Sequence, residues 1–355
     1  MKIAFVAMSG IRVCDEELLE LGLTLPGFVD RSQVIASLPS LGLLYLAAAT
    51  PRGHQLAYFD AESEGDAPAA VFEHDLVAIS TFSAQVREAY DLADRLRAAG
   101  VRVAMGGLHV SVLPEEALEH ADYVVVGEGE NVWPVVVDAA ARGAEGGIFD
   151  AADHPPVDVA SLPVPRYDLL DARPYNRFTV QTSRGCPWRC EFCASSVMLR
   201  RGFRQRPVDH VLRDVHAIRT VRDNPFLEFA DDNTFVNKAW GKELCAGLEP
   251  LRLKWFTETE VSVAEDPELL DAMRRAGCRQ VLIGLESPNP VDLDGVELNA
   301  NRKAAWAPDY ARAVRTIQEH GITVNGCFVL GLDGQGPDIF ERVYDFAMET
   351  SLYDV

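Results

Sequence analysis

The sequence predicts an α/β chain in two parts: a doubly wound parallel sheet, then a partial (β/α) barrel. Three observations predict it. Short apolar runs alternate with helical stretches along almost the whole length, the pattern of parallel βαβ units. Five prolines fall between positions 143 and 176, and together they bar a continuous helix or a central strand there. The length of 355 residues corresponds to about two domains at roughly 100–200 residues each. The expected organisation is a first domain over 1–145, a proline-rich linker over 146–176 that holds an extended path between the domains, and a second domain over 177–355.

In the first part, strands are expected at 2–8, 55–60, 75–80, 101–106 and 122–127. Helices are expected at 41–49, 84–99, 114–120 and 132–141. Gly100 stands where a helix C-cap belongs, and Pro114 where a helix begins. In such sheets ligands lie beyond the carboxyl ends of the strands. Those ends read Ser80-Thr81-Phe82-Ser83, Gly106-Gly107-Leu108-His109 and Gly127-Glu128-Gly129-Glu130. Glycines there permit close backbone approach and positive φ, and the hydroxyls offer polar contacts; tight turn chemistry alone is the competing explanation. No G-x-G-x-x-G follows the first strand, which argues against a dinucleotide.

In the second part, a strand over 178–183 leads into a cysteine-rich loop. Further strands are expected at 226–231, 254–260, 280–286 and 323–330. Helices are expected at 208–222, 238–248, 267–276, 307–320 and 337–350. Five βα units of this kind make a partial barrel, with active residues at the carboxyl ends of its strands. Those ends carry Asp231-Asp232-Asn233, Glu258 and Glu260, Glu286-Ser287, and Gly331-Leu332-Asp333-Gly334. Carboxylates there suit a cationic, hydroxyl-bearing ligand; helix capping is the alternative use. Arg200-Arg201-Gly202-Phe203-Arg204-Gln205-Arg206 is the dense basic run, suited to an anionic group or to a solvated loop.

Composition narrows the function. With 33 Lys+Arg against 54 Asp+Glu the formal net charge is −21, which repels a phosphate backbone and disfavours nucleic-acid binding. No run of about 18 apolar residues reads as a transmembrane segment, and the N-terminus enters a strand without a signal-peptide pattern; the expectation is a cytoplasmic protein. Of seven cysteines, Cys14, Cys245, Cys278 and Cys327 are scattered, as small core residues are. Cys186, Cys190 and Cys193 fall within eight positions, in Arg184-Gly185-Cys186-Pro187-Trp188-Arg189-Cys190-Glu191-Phe192-Cys193. No second ligand pair follows to complete a zinc ribbon. Three thiolates on a 4Fe–4S cluster would leave one iron open; a zinc ion completed by a distant histidine is the other reading.

Cys186-x-x-x-Cys190-x-x-Cys193, with Phe192 before the last cysteine and Thr182-Ser183-Arg184-Gly185 ahead of the first, resembles the cluster loop of the radical S-adenosylmethionine (SAM) superfamily. The resemblance implies a 4Fe–4S cluster on the three cysteines, whose open iron takes SAM and whose reduction releases a 5′-deoxyadenosyl radical. It implies that Phe192 lies by the adenine, and that Asp231, Asp232, Asn233, Glu258, Glu260 and Glu286 contact the methionine and ribose moieties. An external electron donor such as flavodoxin or ferredoxin is implied as well.

The first part resembles the cobalamin-binding domain that precedes the radical domain in one subfamily, a branch that includes the hopanoid methylases. Ser80-x-Phe82, Gly106-Gly107 and the Val126-Gly127-Glu128-Gly129-Glu130 phrase carry that likeness, together with Leu41-Gly42-Leu43-Leu44-Tyr45-Leu46-Ala47. They imply a cobalamin face at Ser80, Phe82, Gly106, Gly107 and Gly127. The chain lacks D-x-H-x-x-G, the motif that ligates cobalt through histidine; Asp214-x-His216 has Arg219 in place of the glycine.

Leu352-Tyr353-Asp354-Val355 reads as the start of a sixth strand, so the resemblance implies a barrel incomplete at its C-terminus. The expected activity is C-methylation of an unactivated carbon in a small-molecule or lipid substrate. Ring closure or rearrangement without methyl transfer is one alternative, and a non-catalytic cluster- or cobalamin-binding partner is another.

Overall fold

The computed structural model describes residues 1–8, 38–61, 67–195 and 202–355. Cys14, Arg200 and Arg201, singled out above, lie outside the described residues. The chain forms two compact units, one of residues 1–178 with 216–223, the other of residues 179–215 with 224–355.

The first unit is built on β1 (Lys2–Met8), β2 (Gln55–Ala61), β3 (Leu76–Ser80), β4 (Arg102–Gly106), β5 (Tyr123–Val126) and β6 (Gly147–Asp150). Their order is β2-β1-β3-β4-β5-β6, and the pairings are parallel throughout. Parallel sheets are covered on both faces, so their strands are apolar at successive positions rather than alternating. β1 follows that rule: Ile3, Phe5 and Ala7 point to one core, and Ala4, Val6 and Met8 to the other. The helices α1 (Leu41–Ala49) and α5 (Trp133–Arg142) cover the first face. The other face is covered by α2 (Val86–Ala98), α3 (Leu108–Val112) and α4 (Pro114–His120). Each large apolar side chain fully buried here, such as Phe5 or Trp133, stabilises the fold by roughly 1.5–3 kcal/mol.

β6 was not legible in the sequence, where Gly146-Gly147 reads as the start of a loop. Gly146 permits it: a Cβ at that position would meet the Asp122 carbonyl oxygen, so only glycine lets β6 start against the β5 edge. The prolines that follow do not leave the chain loose. Val157, Val159 and Leu162 pack on Tyr45 of α1, and the Arg166 amide donates to the Leu44 carbonyl at 3.2 Å.

The second unit contains β7 (Phe178–Val180), β10 (Phe226–Phe229), β11 (Lys254–Thr259), β12 (Cys278–Glu286) and β13 (Thr323–Phe328), in the order β13-β12-β11-β10-β7. Strand neighbours in space are thus neighbours in sequence, as in a (β/α) barrel opened along one seam. A two-stranded antiparallel pair, β8 (Ser183–Arg184) with β9 (Arg204–Gln205), brackets the cysteine loop. The crossover helices are α6 (Val208–Val221), α7 (Lys238–Leu248), α8 (Pro267–Arg275), α9 (Arg302–Trp306), α10 (Tyr310–Glu319) and α11 (Ile339–Thr350).

The helix expected at 307–320 begins as a 3-10 turn over Ala307–Asp309, where Pro308 sits in the first turn, and continues as α10; α9 precedes it and was not expected. The last residues form a single parallel bridge, Asp354 beside Asn325 of β13, with the Tyr353 and Gly326 amides as donors at 3.0 Å each. No helix among the described residues is long and apolar enough to cross a membrane.

Candidate active site

The carboxyl ends of the two sheets are made differently. In the first unit Ser80 lies opposite Gly106 in the β3–β4 register, so the Ser80, Gly106 and Gly127 turns stand side by side. Gly107 has φ 110°, and a Cβ on it would lie 2.5 Å from the Thr81 carbonyl oxygen; only glycine fits. Ser111 on α3 ties two of the turns together: its hydroxyl donates to the Gly107 carbonyl at 2.9 Å and accepts from the Gly127 amide at 3.0 Å. Nothing in the sequence pattern pointed to Ser111. Phe82 is 53% exposed and Leu108 41% exposed, so the rim offers apolar surface beside bare backbone. His109 bonds to Ser83 at 2.9 Å and to Glu116 at 3.3 Å.

In the second unit the cysteine loop leaves β8 at the carboxyl end of the sheet. Cys186, Cys190 and Cys193 are free thiols, Cys190 buried and the other two half-buried. Burial pushes the Cys186 thiol up to about 11 and the Cys190 thiol up to about 12, and the charge of Cys193 adds to both. Such thiols hold their protons until a cation replaces them. Among the described residues no three His, Cys, Asp or Glu side chains converge on one mononuclear metal position. Thiolates that each take a different iron of a cluster have no need to converge. The three-thiol donor set suits an iron–sulfur cluster.

The loop is pinned to its strands by residues that sequence reasoning grouped as ligands. Asp231 is buried and accepts from the Thr182 amide at 2.7 Å, the Ser183 amide at 2.8 Å and the hydroxyls of Thr182 and Thr234. Burial raises its carboxyl, and those hydrogen bonds oppose the rise. Glu260 accepts from Trp188 Nε1 at 2.6 Å and from the Ser262 hydroxyl at 2.7 Å. Asn233 is buried and accepts from the Thr259 hydroxyl at 3.3 Å. Asp232 is exposed. Glu258 is half-buried; burial first, then the neighbouring charges of Glu228, Asp232 and Asp231, lift it to about 7.

Glu286 sits where the β12–β13 register slips. This bulge turns the residue to φ 64°, a left-handed conformation that costs an ordinary side chain roughly 1–2 kcal/mol. Bulges of this kind re-aim a side chain beside an active site. Its carboxylate pairs with Lys303 Nζ at 2.9 Å, and the same ammonium donates to the Gly284 carbonyl at 2.5 Å. Lys303 escaped sequence reasoning because it lies 17 positions from its partner, on a helix with no motif.

Phe192 is 40% exposed. Beside the loop is a cavity of about 480 Å³ whose walls include Trp188, Lys238, Glu260, Arg302 and Trp306. Arg206, by contrast, leaves the basic run altogether. It is buried against Asp214 at 2.7 Å, so it is neither a solvated arginine nor a free anion site.

A doubly wound sheet with glycine turns, followed by a partial barrel with a three-cysteine loop and strand-end carboxylates, defines a two-unit α/β protein with a candidate site in each unit. Comparison with known proteins gives the family. Residues 32–137 match the B12 binding domain and residues 180–347 the radical SAM superfamily. The chain belongs to the radical SAM superfamily, in the branch that carries a B12-binding domain.

The bacteriochlorophyllide d C-12(1)-methyltransferase of Chlorobaculum tepidum is 28% identical over 88% of this chain and 69% of its own length. The hopanoid C-2 methylase of Rhodopseudomonas palustris is 26% identical over 90% of this chain and 61% of its own length. A solved structure of the radical SAM methyltransferase TsrM from Kitasatospora setae, with cobalamin and a [4Fe-4S] cluster bound, superposes with a TM-score of 0.73 at 17% identity. It covers 99% of this chain and 73% of that one. The chain thus spans 61–69% of the two curated relatives.

Proposed function

We propose that the protein is a cobalamin-dependent radical SAM methyltransferase that places a methyl group on an unactivated carbon of a lipid or other apolar natural-product intermediate. The observation that carries the reading is the pairing, in one chain, of three free thiols on a loop ringed by carboxylates with a parallel sheet whose carboxyl end is bare glycine backbone and exposed apolar side chains. When bound, the cluster supplies an electron that splits SAM into methionine and a 5′-deoxyadenosyl radical, and cobalamin supplies methyl transfer.

In this reading the chain's own residues divide the work. Cys186, Cys190 and Cys193 hold the cluster. Asp232, Asn233, Glu258 and Glu286 face the ammonium and hydroxyl groups of SAM, and Phe192 packs by its adenine. Asp231 and Glu260 act one step back, fixing Thr182–Ser183 and Trp188 so that the cysteine loop keeps its path. Lys303 keeps Glu286 aimed. Ser80, Phe82, Gly106, Gly107 and Gly127 form the cobalamin face, with the glycines admitting close approach and Phe82 covering an edge of the macrocycle. The domain bounds that go with it are 1–145, 146–176 and 177–355, and the electron comes from an external flavodoxin- or ferredoxin-type donor.

The reading is tested by product analysis. Reconstituted protein, SAM, a low-potential reductant and a candidate apolar acceptor are incubated anaerobically, and 5′-deoxyadenosine and S-adenosylhomocysteine are quantified together. Methyl transfer gives both in proportion to methylated acceptor. 5′-Deoxyadenosine without S-adenosylhomocysteine supports ring closure or rearrangement instead, and neither product supports a non-catalytic partner.

A further inference from the structure

The cysteine loop has a second anchor that lies outside the ring of strand-end carboxylates. After β12 the chain runs through residues 287–301 before α9, and part of that segment lies along the loop. Cys190 and Glu297 form an antiparallel bridge. The Glu191 amide donates to the Val296 carbonyl at 3.1 Å, and the Leu298 amide donates to the Arg189 carbonyl at 2.8 Å. The backbone on either side of Cys190 is therefore held as a short strand would be.

At the centre of this contact is one carboxylate. Glu297 is 2% exposed, and it accepts from four backbone amides: Arg189 at 3.3 Å and Asn299 at 3.0 Å through Oε1, Ala300 at 2.8 Å and Arg302 at 3.5 Å through Oε2. Burial raises the Glu297 carboxyl, but the amides outweigh it and hold the group below the usual carboxylate range. Three of the four donors are local to the 297–302 turn. The fourth belongs to Arg189, the residue immediately before Cys190 on the loop. Arg302, on the same turn, stacks its guanidinium 4.0 Å from the centre of the Trp188 ring, so Trp188 is held by Glu260 on one side and Arg302 on the other.

We propose that Glu297 is a positioning residue for the cluster: through the Arg189 amide and the paired Cys190 backbone it fixes the direction of the Cys190 thiolate before any iron arrives. This rests on the reading that Cys186, Cys190 and Cys193 hold the cluster. A carboxylate that serves four amides cannot be replaced by a carboxamide without loss. In Glu297→Gln one oxygen becomes an NH₂ that faces two donors, so one pair of hydrogen bonds fails while the volume stays the same. In Glu297→Ala all four are lost. Groups that orient a metal ligand from behind change metal retention by roughly 10–100-fold when removed.

The test uses the full chain, with Glu297→Gln, Glu297→Ala and Cys190→Ala, each checked for a native melting transition without iron. After anaerobic reconstitution, the rate of iron loss to a chelator, the midpoint potential, and the electron paramagnetic resonance spectrum of the reduced cluster with and without SAM are recorded. The expected result is iron loss about 10-fold faster in Glu297→Gln and faster still in Glu297→Ala, with a shifted potential and an altered SAM-dependent spectrum. If Glu297→Ala does not fold, Glu297→Gln decides alone. Folded Glu297 variants that match the wild type in chelation rate, potential and spectrum overturn the proposal. Cys190→Ala that holds iron as well as the wild type overturns the cluster reading itself, so the two failures are distinguishable.

Discussion

On the proposed reading, the two carboxyl ends of this molecule each hold a large cofactor on a parallel sheet, with opposite chemistry. In the first unit the turns are glycine, and what they present is shape: Gly107 at φ 110°, Gly127 at φ 82°, and the Ser111 hydroxyl spent on the backbones of both. In the second unit the turns are carboxylates and thiols, and what they present is charge. The corrin of cobalamin has a broad face rimmed by amide side chains, so bare backbone and exposed Phe82 suit it. A sulfonium-bearing nucleoside and an iron–sulfur cluster are charged and need directed ligands. The difference teaches that a glycine-rich strand end and an acid-rich strand end on the same kind of sheet are not interchangeable sites.

The sharpest way to separate them is to remove one end's chemistry and watch the other. Replacing Cys186, Cys190 and Cys193 together by alanine is expected to abolish iron binding, read by elemental analysis, while cobalt retention stays at the wild-type level. Loss of both metals would mean that the two ends do not act independently.

Next in size is Asp231→Ala. It strands two buried amides and the Thr182 hydroxyl, while the Thr234 hydroxyl keeps its Thr257 partner, at about 1–3 kcal/mol for each group left unsatisfied, and urea unfolding should show a drop of about 3–5 kcal/mol. A change below about 1 kcal/mol would mean that the carboxylate does not hold the loop.

Gly107→Ala tests the first end in the same units. The strained φ and the collision with Thr81 should cost about 1–3 kcal/mol and lower cobalt retention without touching iron. Equal cobalt in a stably folded variant would remove Gly107 from the cobalamin face.

The smallest effect is a pH dependence confined to the second end. Glu258 titrates at about 7 in the folded chain against an ordinary 4.5. Its folded value is raised, so its contribution to stability is complete below about 4.5 and is lost as pH climbs through about 7. Glu258→Gln removes that loss. Relative to the wild type it should gain on the order of 1–2 kcal/mol at pH 8, after allowance for residual exposure, and little at pH 5. Urea midpoints that shift equally at both pH values would contradict the assignment.

Much of this organisation could be read from the chain without coordinates. The apolar run of β1, the cysteine spacing and the acidic strand ends are local patterns, and the structure keeps them as strand, loop and strand ends. What was hidden depends on contacts across sequence. β6 begins in a glycine pair that looks like a turn, and becomes a strand only because the β5 edge accepts it. Lys303 finds Glu286 across a bulge that no residue pattern announces. Glu297 gathers an amide 108 positions away. Arg206 sat in a basic run that reads as surface, yet it is buried by a partner eight positions on. Asp231 was legible as important, but its partners show that it holds the loop through Thr182 and Ser183.

The central claim is that one chain carries both a cluster and a cobalamin, each at its own strand ends. The most direct test is the metal content of the protein after anaerobic reconstitution with iron, sulfide and hydroxocobalamin, followed by desalting and elemental analysis. The account predicts about four irons and about one cobalt per chain, with the cobalt retained despite the missing D-x-H-x-x-G. Full iron with no cobalt would contradict it, leaving a radical SAM protein whose glycine-rich sheet serves some other ligand.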